Sequence, residues 1–136
     1  MDANTKISRA KTRLLLDQPF WGTFTMGTPF HADDKVDTAC TNGQHIKWNP
    51  SFVDTLEPTN TIFLVAHEIG HIVFQHCDPI KEIDGKPVDH EVHNMALDYV
   101  LNAVLIDGNV GEMPEGGLYE PLSLIHISEP TRPSSI

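Results

Sequence analysis

Residues 67 to 71 read His-Glu-Ile-Gly-His. On a helix, positions i and i+4 lie on one face, one turn apart, so both imidazoles can reach a single metal ion. The glutamate between them is turned by about 100° around the axis, which sets it beside the ion without making it a ligand. Zinc held by three protein side chains keeps a fourth position for water and lowers the pKa of that water to about 7. Glu68 would then take the proton as general base. Five letters of this kind also arise by chance, so their surroundings have to decide.

Around the motif the chain runs TIFLVAHEIGHIVF. Ile62, Phe63, Leu64, Val65, Ile69, Ile72, Val73 and Phe74 cover every side of such a helix, and a helix that is apolar all round is a buried one. Two histidines and a glutamate inside it are costly unless something satisfies them. A metal ion does so; a pair of hydrogen-bonded core histidines is the blander alternative. Gly70 costs about 1 kcal/mol relative to alanine in a helix interior, which suggests a close neighbour.

The ion needs a third ligand. A later segment, HEVHNMALDYVLNAVLI, is largely apolar but carries Glu91, Asn94, Asp98 and Asn102 at i, i+3, i+7 and i+11, a polar stripe on one helical face. Asp98 and Asn102 fall in its most apolar part, where an unpaired carboxylate is costly. If this face meets that of His67 and His71, Asp98 is the third ligand; otherwise it pairs with an arginine or a helix N-terminus. Glu91 is the competing ligand. Nineteen residues separate it from His71, a gap used by thermolysin-like zinc peptidases, but a glutamate near a helix start is also ordinary. His90 and His93 are further candidates, with exposure near a helix start as their plainer reading. The pattern HExxHxxGxxH is absent, since Phe74 and Asp78 stand where its glycine and last histidine would be. His76 with Cys77 could make a second metal site, against the plainer reading of two residues without a metal role. Tyr99 and Tyr119 are candidates for steadying an oxyanion, against packing for Tyr99 and loop anchoring for Tyr119.

Several elements must position these groups. Ala3 to Asp17 lacks proline and glycine and has Ile7, Ala10 and Leu14 on one side, which predicts an amphipathic helix ended by Pro19. FWGTFTMGTPF, from Phe20 to Phe30, reads as a strand broken by glycines. Val36–Cys40 and Gln44–Trp48 flank Thr41-Asn42-Gly43 and predict a hairpin. Asn49 or Ser51 should cap a short helix through Leu56. The motif helix is expected from about Asn60 to His76, a loop from Lys81 to Pro87, and the last helix from about Val88 to Ile106.

The chain has 136 residues, enough for one domain. Its net charge of -10 repels phosphates and anionic lipid, so neither nucleic acid nor membrane is an expected partner. Two cysteines, Cys40 and Cys77, are too few for a disulfide framework. Leu14 to Leu16 is too short for a signal-peptide core or a membrane span. A cytoplasmic protein is expected.

Four segments carry a resemblance: TACTNGQHIKWNPSFV, VAHEIGH, NMALDYVLN and MPEGGLYEP, together spanning about Thr38 to Pro121. Their combination resembles the metallopeptidase-like domains often found in front of a von Willebrand factor A-like domain. The resemblance implies His67, His71 and Asp98 as metal ligands, Glu68 as the catalytic group, a zincin-like fold and a longer protein. No von Willebrand factor A-like domain is present here, which truncation would explain. Ser123 to Arg132, SLIHISEPTR, resembles a translated sequencing-library adapter. Residues 1–121 are therefore expected to form the domain, cut short at its C-terminus, and residues 122–136 a non-native tail, which removes His126 from the candidates.

The expectation is an α+β, zincin-like domain. A small antiparallel sheet packs on the motif helix, and a second helix supplies Asp98. It should hydrolyse peptide bonds in a peptide or protein substrate, with zinc as cofactor. Two alternatives stay open: a non-catalytic, zinc-stabilised interaction module, and a regulatory protease specific for one protein partner.

Overall fold

Asp2 starts the first helix, α1 (Ala3–Asp17), by accepting a hydrogen bond from the Thr5 backbone N–H at 2.8 Å, which satisfies one of the donors a helix start leaves open. The computed structural model describes residues 2–74, 82–83, 85–87 and 90–114. Ala3, Ile7, Ala10 and Leu14 form the buried stripe of α1, as its apolar spacing requires. Burying aliphatic side chains such as Ile7 and Leu14 contributes about 1.5–3 kcal/mol each.

The segment expected as a broken strand is instead a second helix, α2 (Pro19–Met26). Pro19 ends α1 and opens α2, because a fixed φ and a missing N–H suit the first helical position. Its threonines do not force extension. The hydroxyls of Thr23, Thr25 and Thr28 donate to the carbonyls of Pro19, Trp21 and Phe24, four residues back, a bond that keeps threonine compatible with a helix. Gly22 packs directly on the backbone of Leu14 and Leu15, where a Cβ would collide with the Leu15 Cα. This glycine marks the contact between the two helices rather than a break in a strand.

Three short strands follow: β1 (Phe30–Ala32), β2 (Ala39–Thr41) and β3 (Ile46–Trp48). The predicted hairpin joins β2 and β3 in antiparallel register, Ala39 opposite Trp48 and Thr41 opposite Ile46. Gly43 takes a φ of 96° at its turn, where Asn42 Oδ1 accepts from the N–H groups of Gln44 and His45. The sheet is mixed rather than antiparallel. β1 lies parallel to β3 on its other edge, in the order β1-β3-β2, with Phe30 opposite Ile46. The hairpin occupies one edge of β3 and leaves the other to β1. Ala39, Ile46 and Trp48 turn inward and are buried.

Asn49 caps α3 (Pro50–Asp54), its side chain accepting from the Ser51 N–H. Lys6 of α1 closes the other end of α3, its Nζ donating to the carbonyls of Val53, Asp54 and Leu56 at 3.3, 3.0 and 2.8 Å, where a cation meets the negative end of the helix.

Next comes α4 (Pro58–Val73), which begins with proline in its first turn and is buried continuously from Phe63 to His71. α1, α2 and β2 all pack against it. The two-residue strands β4 (Glu82–Ile83) and β5 (Lys86–Pro87) pair antiparallel in the segment expected as a loop. The last helix is α5 (His90–Asp107). Asn109 follows it at a φ of 55°, and Val110 N–H returns to Leu105 O at 2.9 Å, a left-handed helix ending. Asn60 then ties the start of α4 to this exit, accepting from Glu57 N–H and donating to Glu112 O. Among the described residues, no helix is long and apolar enough to cross a membrane. The assembly is α+β and mostly helical.

Candidate metal centre

α4 brings His67 and His71 one turn apart, with their ring centroids 4.7 Å from each other at 84°. Asp98 faces them from α5. Its Oδ1 lies 3.1 Å from His67 Nε2 and 2.9 Å from His71 Nε2, and the two Nε2 atoms are 3.1 Å apart. His67 is fully buried, Asp98 is 1% exposed and His71 is 7% exposed, so the side of His71 is the most open. Among the described residues, these three form the group of histidine, cysteine and acidic side chains that could hold a metal ion.

The helices can meet this closely because residue 70 is glycine. A Cβ there would run into both methyl groups of Leu101, and Leu101 is itself buried at 1% exposure, so its side chain would have to shift within the core. Gly70→Ala should therefore lower the unfolding free energy by about 1–3 kcal/mol from overpacking, despite the gain of about 1 kcal/mol in helix propensity. Urea denaturation would measure it; an unchanged or higher midpoint would refute the close-packing account.

The two acidic groups of the site are pushed in opposite directions. Glu68 is 3% exposed. Burial raises its carboxyl to about 7, against the pull of His71 and with some help from the negative charge of Asp98. Burial also pushes the Asp98 carboxyl up, but hydrogen bonds with His67 and His71, and their charges, outweigh it and hold the group below its usual value. The same cluster thus favours the ionised form of one carboxyl and the protonated form of its neighbour. The Cys40 thiol on β2 is pushed up too, by partial burial and next by the Glu68 charge, so the edge of the sheet lies within electrostatic reach of the site.

Two imidazole nitrogens and one carboxylate oxygen are a donor set that zinc and similar divalent ions accept. Ligand atoms around a tetrahedral ion, with bonds of about 2.0–2.1 Å, stand about 3.3 Å from one another; the three here are 2.9 to 3.1 Å apart. Electron-pair donors so close together, and shielded from water, repel unless a proton or a metal cation lies between them. The residues fit a metal ion.

Of the residues singled out in the sequence, the structure brings His67, His71 and Asp98 to one place, and buries Glu68 within electrostatic reach of His71 and Asp98. His93 and Tyr99 are half-buried and stand outside the three-residue group. The side chains of Glu91 and His90, and residues His76, Cys77, Tyr119 and His126, lie outside the described residues, as do the adapter-like segment and the loop MPEGGLYEP beyond Pro114. Asn102 was visible only as part of a polar stripe. In the structure its Oδ1 lies 2.6 Å from His67 Nδ1, with both residues fully buried. Phe63, which reads as plain core, stacks beside His67 at 6.5 Å and 23°; it precedes His67 by one helical turn, a spacing that could have pointed to the contact.

A histidine pair on a central helix, closed by a carboxylate from a second helix, is an arrangement that could hold a metal ion. The chain belongs to the family described as "Putative metallopeptidase domain", whose model matches residues 2–125. No curated protein and no solved structure gives a significant match.

Proposed function

We propose that this domain is a zinc-dependent peptidase of zincin-like fold, in which His67, His71 and Asp98 hold the ion and Glu68 is the general base. The observation that carries the reading is the triangle of donor atoms with a raised carboxyl beside it. Membership of a family described as a metallopeptidase supports the same reaction class.

A bound zinc ion supplies Lewis acidity, polarising the peptide carbonyl and easing the loss of a proton from water. The protein does the rest. Asp98 would neutralise half of the ion's charge, and His67 and His71 would hold the ion through their Nε2 atoms. Glu68, one position beyond His67, takes the proton from the attacking water and delivers it to the amine nitrogen as the peptide bond breaks. A group with a pKa of about 7 can both accept and release that proton near neutral pH. The buried walls of α4 strengthen each of these electrostatic contacts.

The substrate is proposed to be a peptide or protein, the setting cytoplasmic, and the partner in a longer chain a von Willebrand factor A-like domain. Dialysis against a chelator should remove about one zinc per chain and abolish cleavage of a mixed peptide library, and added zinc should restore it. Undiminished cleavage after complete removal of metal would overturn the reading.

A further inference from the structure

We propose that Asn102 is a positioning residue: its side-chain oxygen holds His67 with the ring proton on Nδ1, so that Nε2 presents a lone pair to a divalent ion. The inference rests on the proposed metal site and adds to it the group that decides how His67 binds.

An amide oxygen can only accept a hydrogen bond. At 2.6 Å, with both residues at 0% exposure, Nδ1 must be the donor. A neutral imidazole has a single N–H, so in the neutral ring that a metal ion would meet, in place of any proton shared with Asp98, Nε2 keeps its electron pair. That nitrogen is the one aimed at Asp98 Oδ1 and His71 Nε2, 3.1 Å from each. The ring is held from two directions, at its Nδ1 end by Asn102 and along its face by Phe63. Asn102 follows Asp98 by one turn of α5, so one helical stripe supplies both a ligand and the group that orients another ligand across the interface.

The chemical type matters as well as the position. An asparagine orients the ring without adding a second buried negative charge to that of Asp98. The ligand set then keeps a charge of one minus, and a divalent ion retains net positive charge for polarising a carbonyl. Partners of this kind behind a metal-bound histidine are worth about ten- to hundredfold in metal affinity.

The test compares zinc affinity, by competition with a chromogenic chelator, in the full chain and in Asn102→Leu and Asn102→Asp. Leucine matches the shape but cannot accept; aspartate keeps the acceptor. Zinc binding should weaken by about ten- to hundredfold in Asn102→Leu and be rescued to near the parent value in Asn102→Asp. Nitrogen-15 NMR of the zinc-loaded parent should show a slowly exchanging proton on His67 Nδ1, a readout that is available even if Asn102→Leu fails to fold; rescue of zinc affinity in Asn102→Asp is what a merely structural asparagine would not produce. Parent-like affinity in Asn102→Leu, equal loss in both variants, or no Nδ1 proton would overturn the proposal while leaving the metal site standing. A parent chain that binds no zinc would overturn both.

Discussion

Replacing His67 and His71 together with alanine is expected to leave the protein without metal, whereas the parent chain should carry about one equivalent by elemental analysis. The effect should be large because the triangle has no spare member among the described residues. Loss of two of three donors leaves Asp98 buried without the hydrogen bonds from His67 and His71 that hold its pKa down. Two buried rings are also removed, so the variant will be less stable for reasons unrelated to zinc. Asp98→Asn separates these effects. It keeps the shape, removes the charge, and should weaken zinc binding by more than the roughly hundredfold upper range for outer-shell partners. Thermal melting provides a second reading. Excess zinc at about a thousand times its Kd should stabilise the parent by about 4 kcal/mol and do little for either variant. Full zinc content in the double variant would remove His67 and His71 from the ligand set.

Glu68→Gln is expected to abolish hydrolysis while zinc stays bound. Glutamine fits the same space and cannot carry the proton from water to the leaving nitrogen, so the loss should be at least the 10²–10⁴-fold typical of general acid–base catalysis. Cleavage at the parent rate would exclude Glu68 as the base. The same substitution has a signature in stability that needs no substrate. The Glu68 carboxyl is raised from 4.5 to about 7 in the folded, metal-free protein. Its contribution is therefore fully present below pH 4.5 and is lost as the pH climbs through 7, when burial must accommodate a charge. At about 1.4 kcal/mol per pH unit of displacement, the loss approaches about 3 kcal/mol. Glutamine has no proton to lose, so metal-free Glu68→Gln should destabilise less than the parent between pH 5 and pH 8. Parallel melting curves for the two proteins across that range would contradict the buried-carboxyl account.

The sequence made the parts with strong periodicity legible. Ile7, Ala10 and Leu14 marked α1; the Asn42-Gly43 turn marked the β2–β3 hairpin; and the apolar surroundings of His67 marked α4 as buried. Asp98 was legible because a carboxylate in an apolar helix needs a reason to be there. Three features were not. α2 was hidden because threonine and aromatic residues favour strands, while the bonds of Thr23 and Thr25 to carbonyls one turn back leave no trace in composition. The parallel pairing of β1 with β3 was hidden because a strand pattern encodes which face is buried but not which way a neighbour runs. The bond from His67 to Asn102 depends on the rotation and height of one helix against the other, and that register is set by the contact of Gly70 with Leu101.

The distance along the chain between the two halves of the site has a thermodynamic meaning of its own. His67 and Asp98 are separated by 31 positions, yet their side chains meet. An ion gripping both would act as a cross-link, and closing a loop of that size removes about 3–4 kcal/mol of disorder from the unfolded chain by the entropy estimate used for covalent bridges. Taking up zinc and fastening the C-terminal helix to the body of the protein would then be one equilibrium, so that scarcity of the metal would loosen the very part that completes its cage.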